Sequence, residues 1–327
     1  MTRQVSRHRQ ALIVAGPTCS GKSALAIGLA LRLGGTVINA DSMQVYRELR
    51  ILTARPTEAE EAVVPHALYG VRPAAEAGSV AWWRDAALAA MGAAHAAGRL
   101  PILCGGTGLY FLALTQGIAE VPPPGDAARA EARTLLAQLG PAGLHARLAE
   151  HDRETAARID PADSQRVARA WEVLRGTGQG LAAWQSQGNA AEGQPAPWRF
   201  TAILLDPPRE ALRPAIATRF AAMLASGALD EVRALLALGL DPALPAMRAH
   251  GVPELAAHLR GAIPLAEAER RSTLATGQYT KRQATWFRHH DLAPESRTHT
   301  IHARIADHTQ FSEQELADLV TFIRADG

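Results

Sequence analysis

Cysteine is nearly absent, with two in 327 residues. That excludes a disulfide scaffold, and no Cys/His cluster has the spacing of a zinc site. Long apolar runs are missing: none reaches the roughly 18 residues that a membrane span needs. The start, MTRQVSRHRQ, is polar and basic, and the ALIVAG that follows is too short for a signal-peptide core. A reduced, cytoplasmic protein with no membrane partner is the expectation. Charge of one sign is also lacking. Lys and Arg number 34 against 32 Asp and Glu, for a net charge of +2, which permits a polyanionic partner without arguing for one. Aromatics are scarce at 5%, and alanine is abundant. With 47% hydrophobic and 20% charged residues, the chain has the makings of a core, so global disorder is excluded. The length suits one large domain or two modest ones.

Short apolar runs bounded by glycine read as buried strands at 11–15 (ALIVA), at TVINAD ending on Asp41, at 100–104 (LPILC) and at 200–206 (FTAILLD). Helical periodicity fills 22–33, stopping at Gly34-Gly35, and 84–97, stopping at Gly98. Strands alternating with helices predict a parallel sheet covered by helices. The pattern then changes. AEVPPPG (119–125) is a breaker-rich linker, 126 to about 175 reads as helix throughout, and 176–197 reads as loop. After the strand at 200–206, helix continues to about 240. A sheet core interrupted by a helical insertion over 120–198 is the expected organisation, with two sequential domains as the alternative. The tail from 291 is histidine-rich and polar, then carries an amphipathic stretch, FSEQELADLVTFIRA.

The strongest local signal is Gly16-Pro17-Thr18-Cys19-Ser20-Gly21-Lys22-Ser23. It fits G-x-x-x-x-G-K-[ST] between a predicted strand and a predicted helix, the context that pattern requires. Glycines let backbone amides turn around phosphate oxygens. The helix N-terminus and Lys22 add positive charge, and the Ser23 hydroxyl can reach a magnesium ion. The motif says phosphate or diphosphate without specifying ATP. A nucleotide hydrolase also wants an acid at the end of a second strand. Asp41 and Asp206 are the candidates, although Pro207-Pro208 make Asp206 read as a turn residue. Asp41 can be a metal ligand, a general base or a helix N-cap. Ligands in open parallel sheets lie beyond the carboxyl ends of the strands, which makes Asp41 a neighbour of 16–23. Gly105-Gly106-Thr107-Gly108-Leu109-Tyr110 supplies a second glycine-rich lip to the same crevice.

Two basic stretches remain. Gln165-Arg166-Val167-Ala168-Arg169 sets its arginines at i and i+3, with Glu172 three residues on, the pattern of a solvated ion-pair face. Lys281-Arg282-Gln283-Ala284-Thr285-Trp286-Phe287-Arg288 mixes cations with aromatics. That suits phosphate contacts plus base stacking, and equally an amphipathic helix with Trp286 and Phe287 in the core.

Taken in order, GPTCSGKS (16–23), DSMQVYRELRILTARPT (41–57), GRLPILCGGTGLY (98–110), DSQRVARAWEV (163–173), RFAAMLASGALDEV (219–232), MRAHG (247–251) and TGQYTKRQATWFR (276–288) resemble the tRNA dimethylallyltransferase (tRNA isopentenyltransferase) family. The resemblance implies an α/β fold: a P-loop NTPase-like core with a parallel sheet covered by helices (1–119 and 199–327), and an all-helical insertion domain that contacts tRNA (120–198). It implies transfer of a dimethylallyl group from dimethylallyl diphosphate to the N6 amine of adenosine 37 in tRNAs that read codons beginning with U. Magnesium would be the cofactor, the tRNA anticodon stem-loop the partner, and the monomer the working state. By the same resemblance Asp41 is the general base, and Thr107 and Arg219 complete the catalytic set. Gly16, Pro17, Thr18, Cys19, Ser20, Gly21, Lys22 and Ser23 bind diphosphate, with Ser23 on magnesium. The tRNA surface comprises Asp41, Ser42, Met43, Gln44, Thr107, Arg129, Gln165, Arg166, Val167, Ala168, Arg169, Arg248, Gly251, Lys281, Arg282, Gln283, Thr285, Trp286 and Arg288. A P-loop small-molecule kinase or ATPase, with Asp206 or Asp41 on magnesium, is the alternative. It leaves the second glycine lip and KRQATWFR without a purpose.

Overall fold

The computed structural model describes residues 9–119, 121–191, 196–306 and 312–325. The basic start, Glu120 of the predicted linker, 192–195 of the predicted loop and Phe311 of the tail pattern lie outside them. Packing divides the chain into two compact units, Met1–Thr115 with Ala196–Gly327, and Gln116–Pro195.

The first unit is built on six parallel strands. In chain order its elements begin β1 (Arg9–Ala15), α1 (Lys22–Leu33), β2 (Gly35–Asn39), α2 (Glu58–Val63), β3 (His66–Ala67), α3 (Val80–Ala96), β4 (Leu100–Gly105) and α4 (Gly108–Thr115). The strands lie in the order β3-β2-β4-β1, completed beyond β1 by two later strands. β1 is central and pairs with β4 in the register Leu12↔Ile102 to Ala15↔Gly105. Because helices cover both faces, β1 is apolar on both. Ala11, Ile13 and Ala15 enter one core with Leu103 and Trp83, while Leu12 and Val14 enter the other with Leu25, Ile102 and Cys104. α1 stops where the sequence predicts, because Gly34 takes the left-handed conformation (φ 63°) that closes a helix.

The described residues of the second unit are mainly helical: α5 (Gly125–His151), α6 (Arg153–Ala156), α7 (Ser164–Thr177) and α8 (Leu181–Ala191). Ala132, Leu144, Leu148, Val167 and Trp171 form its core. The reading of unbroken helix to 175 needs correction: α5 kinks at Gly140 (φ 68°), before Pro141, and 157–163 is non-helical. The predicted loop over 176–197 is also corrected, since α8 occupies much of it. Thr155 Oγ1 accepts the Ala182 N–H, and Thr177 Oγ1 accepts the Trp184 indole N–H. The first of these partners, 27 residues away in the chain, is invisible to the glycine-rich local signal.

The chain re-enters the first unit through β5 (Trp198–Leu205), which lies beside β1 in the register Arg9↔Trp198 to Ala15↔Leu204. α9 (Arg209–Ala225), α10 (Ala228–Ala237), α11 (Val252–Leu259) and α12 (Leu265–Arg288) follow. The tail supplies a strand absent from the sequence reading, β6 (Thr298–Ile301), paired with β5, and then α13 (Glu313–Arg324). Arg32 in the last turn of α1 holds Glu313 by two hydrogen bonds of 2.7 Å. No described helix is long and apolar enough to cross a membrane.

Candidate active site

Three loops at the carboxyl ends of β1, β2 and β4 meet in the first unit. The loop after β1, Gly16 to Gly21, is tightly shaped. Cys19 and Gly21 both have positive φ, 66° and 93°. Gly16 and Pro17 are buried, and a Cβ on Gly16 would stand 2.8 Å from the Leu205 carbonyl oxygen. The tail grips this loop from its other side. The Ile305 N–H donates to the Ser20 carbonyl at 2.9 Å, and Arg304 Nε donates to the Cys19 carbonyl at 3.1 Å. The Ser20 side chain is fully buried, with no hydrogen-bond partner for its hydroxyl. Burial pulls the Lys22 ammonium below the ordinary lysine range, and neighbouring Arg219 pulls the same way, while Cys104 and Asp41 oppose the shift. Such a cation gains when a phosphate arrives. Arg219 reaches the loop from α9, its guanidinium 3.7 Å from the Cys19 sulfur.

Asp41 stands two residues beyond the end of β2, not at the strand end as predicted. Asn39 ends the strand. Its amide donates to the Asp41 and Leu68 carbonyls and accepts the Asp41 N–H at 2.9 Å. The buried Trp83 indole donates to the Asn39 carbonyl. Asp41 Oδ1 accepts the Met43 N–H at 2.9 Å, an Asx turn with no helix behind it, so the N-cap reading fails. The loop after β4 closes against this turn. Thr107 Oγ1 accepts the Ser42 N–H at 3.0 Å and donates to Ser42 Oγ at 3.3 Å. Gly105 is required there, because a Cβ would lie 2.0 Å from the Ala40 carbonyl oxygen. Lys22, Asp41, Thr107 and Arg219 are thus brought to one place. Gln44 spends its amide nitrogen on the Thr53 and Ala54 carbonyls. Glu231 accepts the N–H groups of Arg50, Ile51 and Leu52, fixing the rest of that loop.

Two residues that the sequence reading did not single out face this cluster. Tyr279 hydrogen-bonds Thr107 and Gln283, and burial together with the Asp41 charge drives its phenol pKa upward. His250 packs on Tyr279 with ring centroids 4.9 Å apart, and burial lowers its pKa against the pull of Glu254 and Asp41. The signal was in the spacing: Tyr279, Gln283 and Phe287 recur every four residues along one face of α12.

Several expected site residues are corrected by their surroundings. Gln283 is buried, its amide held between the Thr18 N–H and the Gly106 carbonyl, so it offers nothing to an outer surface. The Val167 side chain is in the core of the helical unit. Gly251 is buried with φ 95° and starts α11, and a Cβ there would strike Leu52. Asp206 is clamped by Arg288 through two hydrogen bonds of 2.9 and 3.0 Å, which removes it as a metal acid and ties down Arg288. Phe287 is core. Trp286 is half-buried and stacks on His290 at 4.1 Å.

Lys281, Arg282, Thr285 and Trp286 line an open groove of about 630 Å³ together with Arg209 and His289. Arg248 is exposed, and Met43 and Ala168 are half-buried. In the helical unit Arg129, Arg166 and Arg169 are paired with Asp126, Asp163 and Glu172, beside exposed Gln165. Among the described residues no three His, Cys, Asp or Glu groups gather to hold a metal. The exposed Ser23 fits a magnesium ion carried mainly by phosphate oxygens and water, which needs few protein ligands.

The sequence and the fold are shared with known proteins. A family profile described as IPP transferase matches residues 44–290, and one described as isopentenyl transferase matches 9–66. The chain belongs to the IPP transferase family. A tRNA dimethylallyltransferase of Granulibacter bethesdensis is 63% identical over 320 residues, covering 98% of this chain and 99% of that relative. A second, of Gluconacetobacter diazotrophicus, is 62% identical, covering 97% and 95%. The family's solved structures share the fold. The full-length tRNA isopentenylpyrophosphate transferase of Bacillus halodurans superposes with a TM-score of 0.66 at 30% identity, covering 97% of this chain and 96% of that one. A eukaryotic dimethylallyltransferase acting on tRNA gives 0.70 at 26% identity, covering 85% and 69%.

Proposed function

We propose that this enzyme transfers a dimethylallyl group from dimethylallyl diphosphate to the N6 amine of adenosine 37 in the tRNA anticodon stem-loop, in tRNAs that read codons beginning with U, and releases diphosphate. It works as a monomer in the cytoplasm. The observation that carries the reading is the closeness of Asp41 to Lys22, whose ammonium feels the Asp41 charge, with the Thr107 turn closed on Ser42 beside them. It sets a proton acceptor beside a phosphate cradle.

In the step, the adenine N6 lone pair forms a bond to C1 of the dimethylallyl group, the C1–O bond breaks, and the electron pair leaves on diphosphate. An exocyclic amine is a weak nucleophile, and Asp41 helps by taking its proton as the new bond forms. Lys22, Arg219 and the amides of the phosphate loop meet the charge that grows on the leaving group. Magnesium, held by Ser23 and the phosphates, supplies further neutralising charge when bound. Ser42, Met43, Gln44 and Thr107 line the adenine side, and the base leaves its stack to reach them, at least cost in a single-stranded loop. The groove beside Lys281, Arg282, Thr285 and Trp286, with Arg248, holds RNA phosphates and bases. Arg129, Gln165, Arg166 and Arg169 do so from the helical unit.

The test is transfer of label from radioactive dimethylallyl diphosphate to an unmodified tRNA with adenosines at 36 and 37, followed by nucleoside analysis. Label on adenosine 37 that disappears with Asp41→Asn, while tRNA still binds, is expected. Label that survives the substitution would remove Asp41 as the base. ATP hydrolysis without prenyl transfer would return the kinase reading.

A further inference from the structure

Gln283 lies on α12 amid residues that carry the RNA groove, yet its side chain does something different. Its carbonyl oxygen accepts the Thr18 N–H at 2.9 Å, and its amide nitrogen donates to the Gly106 carbonyl at 2.9 Å. Thr18 belongs to the loop after β1 and Gly106 to the loop after β4. These strands are neighbours in the sheet, paired up to Ala15↔Gly105. One planar amide therefore bridges two glycine-rich turns where they leave the sheet. The fit leaves no slack: a Cβ on Gly106 would stand 2.2 Å from Gln283 Nε2. The Gln283 side chain is 4% exposed. An amide is suited to this place, since it sets a donor group and an acceptor side by side on one rigid plane.

We infer that Gln283 is a positioning residue for the prenyl-donor site, acting through Thr18 and Gly106, and not an RNA contact. It holds the phosphate loop at a fixed separation from the Thr107 turn, and so fixes where the diphosphate lies relative to the acceptor amine. The Thr18 N–H is engaged by Gln283, so this residue meets diphosphate through its side chain. Seen from the other side, the helix that presents Lys281 and Arg282 to RNA also carries the brace of the donor loop. The inference rests on the reading of the reaction given above, but its first test does not need the reaction to occur.

The test compares Gln283→Met, which keeps length and loses the hydrogen bonds to Thr18, Gly106 and Tyr279, and Gln283→Glu, which keeps the acceptor for Thr18 and faces Gly106 with an oxygen. Calorimetry with inorganic diphosphate and magnesium, without tRNA, reads the donor loop. Fluorescence anisotropy with an anticodon stem-loop reads RNA binding. Steady-state transfer separates KM for dimethylallyl diphosphate from KM for tRNA. Gln283→Met is expected to weaken diphosphate about tenfold, the scale of one to two neutral hydrogen bonds, and to raise the donor KM alike. RNA affinity should stay within about twofold of wild type, inside the effect of a lost neutral hydrogen bond. Gln283→Glu should lose at least as much diphosphate affinity, because its carboxylate would face the Gly106 carbonyl and the anionic ligand unpaired. Weakened RNA binding with unchanged diphosphate affinity would overturn the inference, as would equal losses in both tracking a fall in Tm. If Gln283→Met does not fold, Gly106→Ala carries the same test by displacing the amide. It must show the same donor-selective loss for the inference to stand. Wild-type protein that binds diphosphate but transfers no prenyl group would refute the reaction while leaving the brace measurable.

Discussion

Arg288 closes on Asp206 with two parallel hydrogen bonds, of 2.9 and 3.0 Å, where β5 ends. The Asp206 side chain is 14% exposed and that of Arg288 57%, so the pair is half in water and modest in strength. Asp206→Asn is expected to cost about 1 kcal/mol, read by urea denaturation, while prenyl transfer and its magnesium dependence stay at the wild-type level. Loss of transfer in a folded Asp206→Asn protein would give this carboxylate the metal role that its ion pair denies it.

The two thiols differ in accessibility and chemistry. Burial pushes Cys104 up to about 11, so at pH 8 only about one molecule in a thousand carries its thiolate, the form that reacts. Cys19 is only half-buried, beside Arg219 in the phosphate loop. Treatment with iodoacetamide at pH 8 should label Cys19 alone, abolish transfer and be slowed by inorganic diphosphate. Peptide mass spectrometry checks this. Label on Cys104 in the native state would mean that the core opens readily.

Gly21 and Gly34 both have positive φ, 93° and 63°, but only Gly21 is crowded. A Cβ there would lie 2.0 Å from the Ile305 carbonyl oxygen, whereas Gly34 has open space. Gly34→Ala should cost about 1 kcal/mol and leave transfer intact. Gly21→Ala should remove diphosphate binding and displace the tail from the loop. Thermal melting and calorimetry separate the two, and equal behaviour would show that the Ile305 contact does not constrain the loop.

Lys22 predicts a pH slope. Its folded-state pKa is depressed by burial, so at pH values between the folded and unfolded values the unfolded chain binds more protons. Stability then rises with pH across that alkaline window. Lys22→Met should flatten the rise and, in the same protein, lower transfer by about 10²-fold or more, as for loss of a charge at the leaving group. Denaturant midpoints measured against pH test the first part. A slope that persists in the variant would assign it to another group.

RNA binding should depend on salt through identifiable side chains. Alanine at Lys281 or Arg282 is expected to weaken stem-loop binding about fivefold and to lower the slope of log affinity against log salt by about 0.7. Lost affinity with an unchanged slope would point to a packing role for the residue.

The strands and helices with a strong local signal were legible. Buried parallel strands are short and apolar, and β1, β4 and β5 carry that signature. α1 is bounded by Lys22 and Gly34 in sequence and in space. What local pattern could not reveal depends on distant partners. β6, whose sequence is THTI, is polar for a strand and exists because β5 offers it an edge. α8 is anchored at its start by Thr155, 27 residues earlier in the chain. The chemical loops were legible because glycine, lysine and aspartate there serve backbone and charge requirements that few other residues meet. Gln283 was misread because its neighbours in sequence, Lys281, Arg282 and Thr285, point outward, and only the helical period separates its face from theirs.

Where the chain leaves the first unit and where it returns, the Ala196 N–H donates to the Leu114 carbonyl at 2.8 Å. The 81 residues between them, Thr115 to Pro195, are thus a closed excursion whose two ends are already joined. Closure entropy rises only slowly with loop length, so the distance along the chain between β4 and β5 weighs little on the stability of the sheet. It weighs on timing. β1 and β4 can pair as soon as residue 105 is made, but β1 keeps one edge open until β5 emerges from the ribosome, after the whole helical unit. During that interval the nascent sheet has an unpaired edge on β1, whose residues 11–15 are all apolar, and this is the moment in synthesis when the protein is most exposed to aggregation and to chaperones.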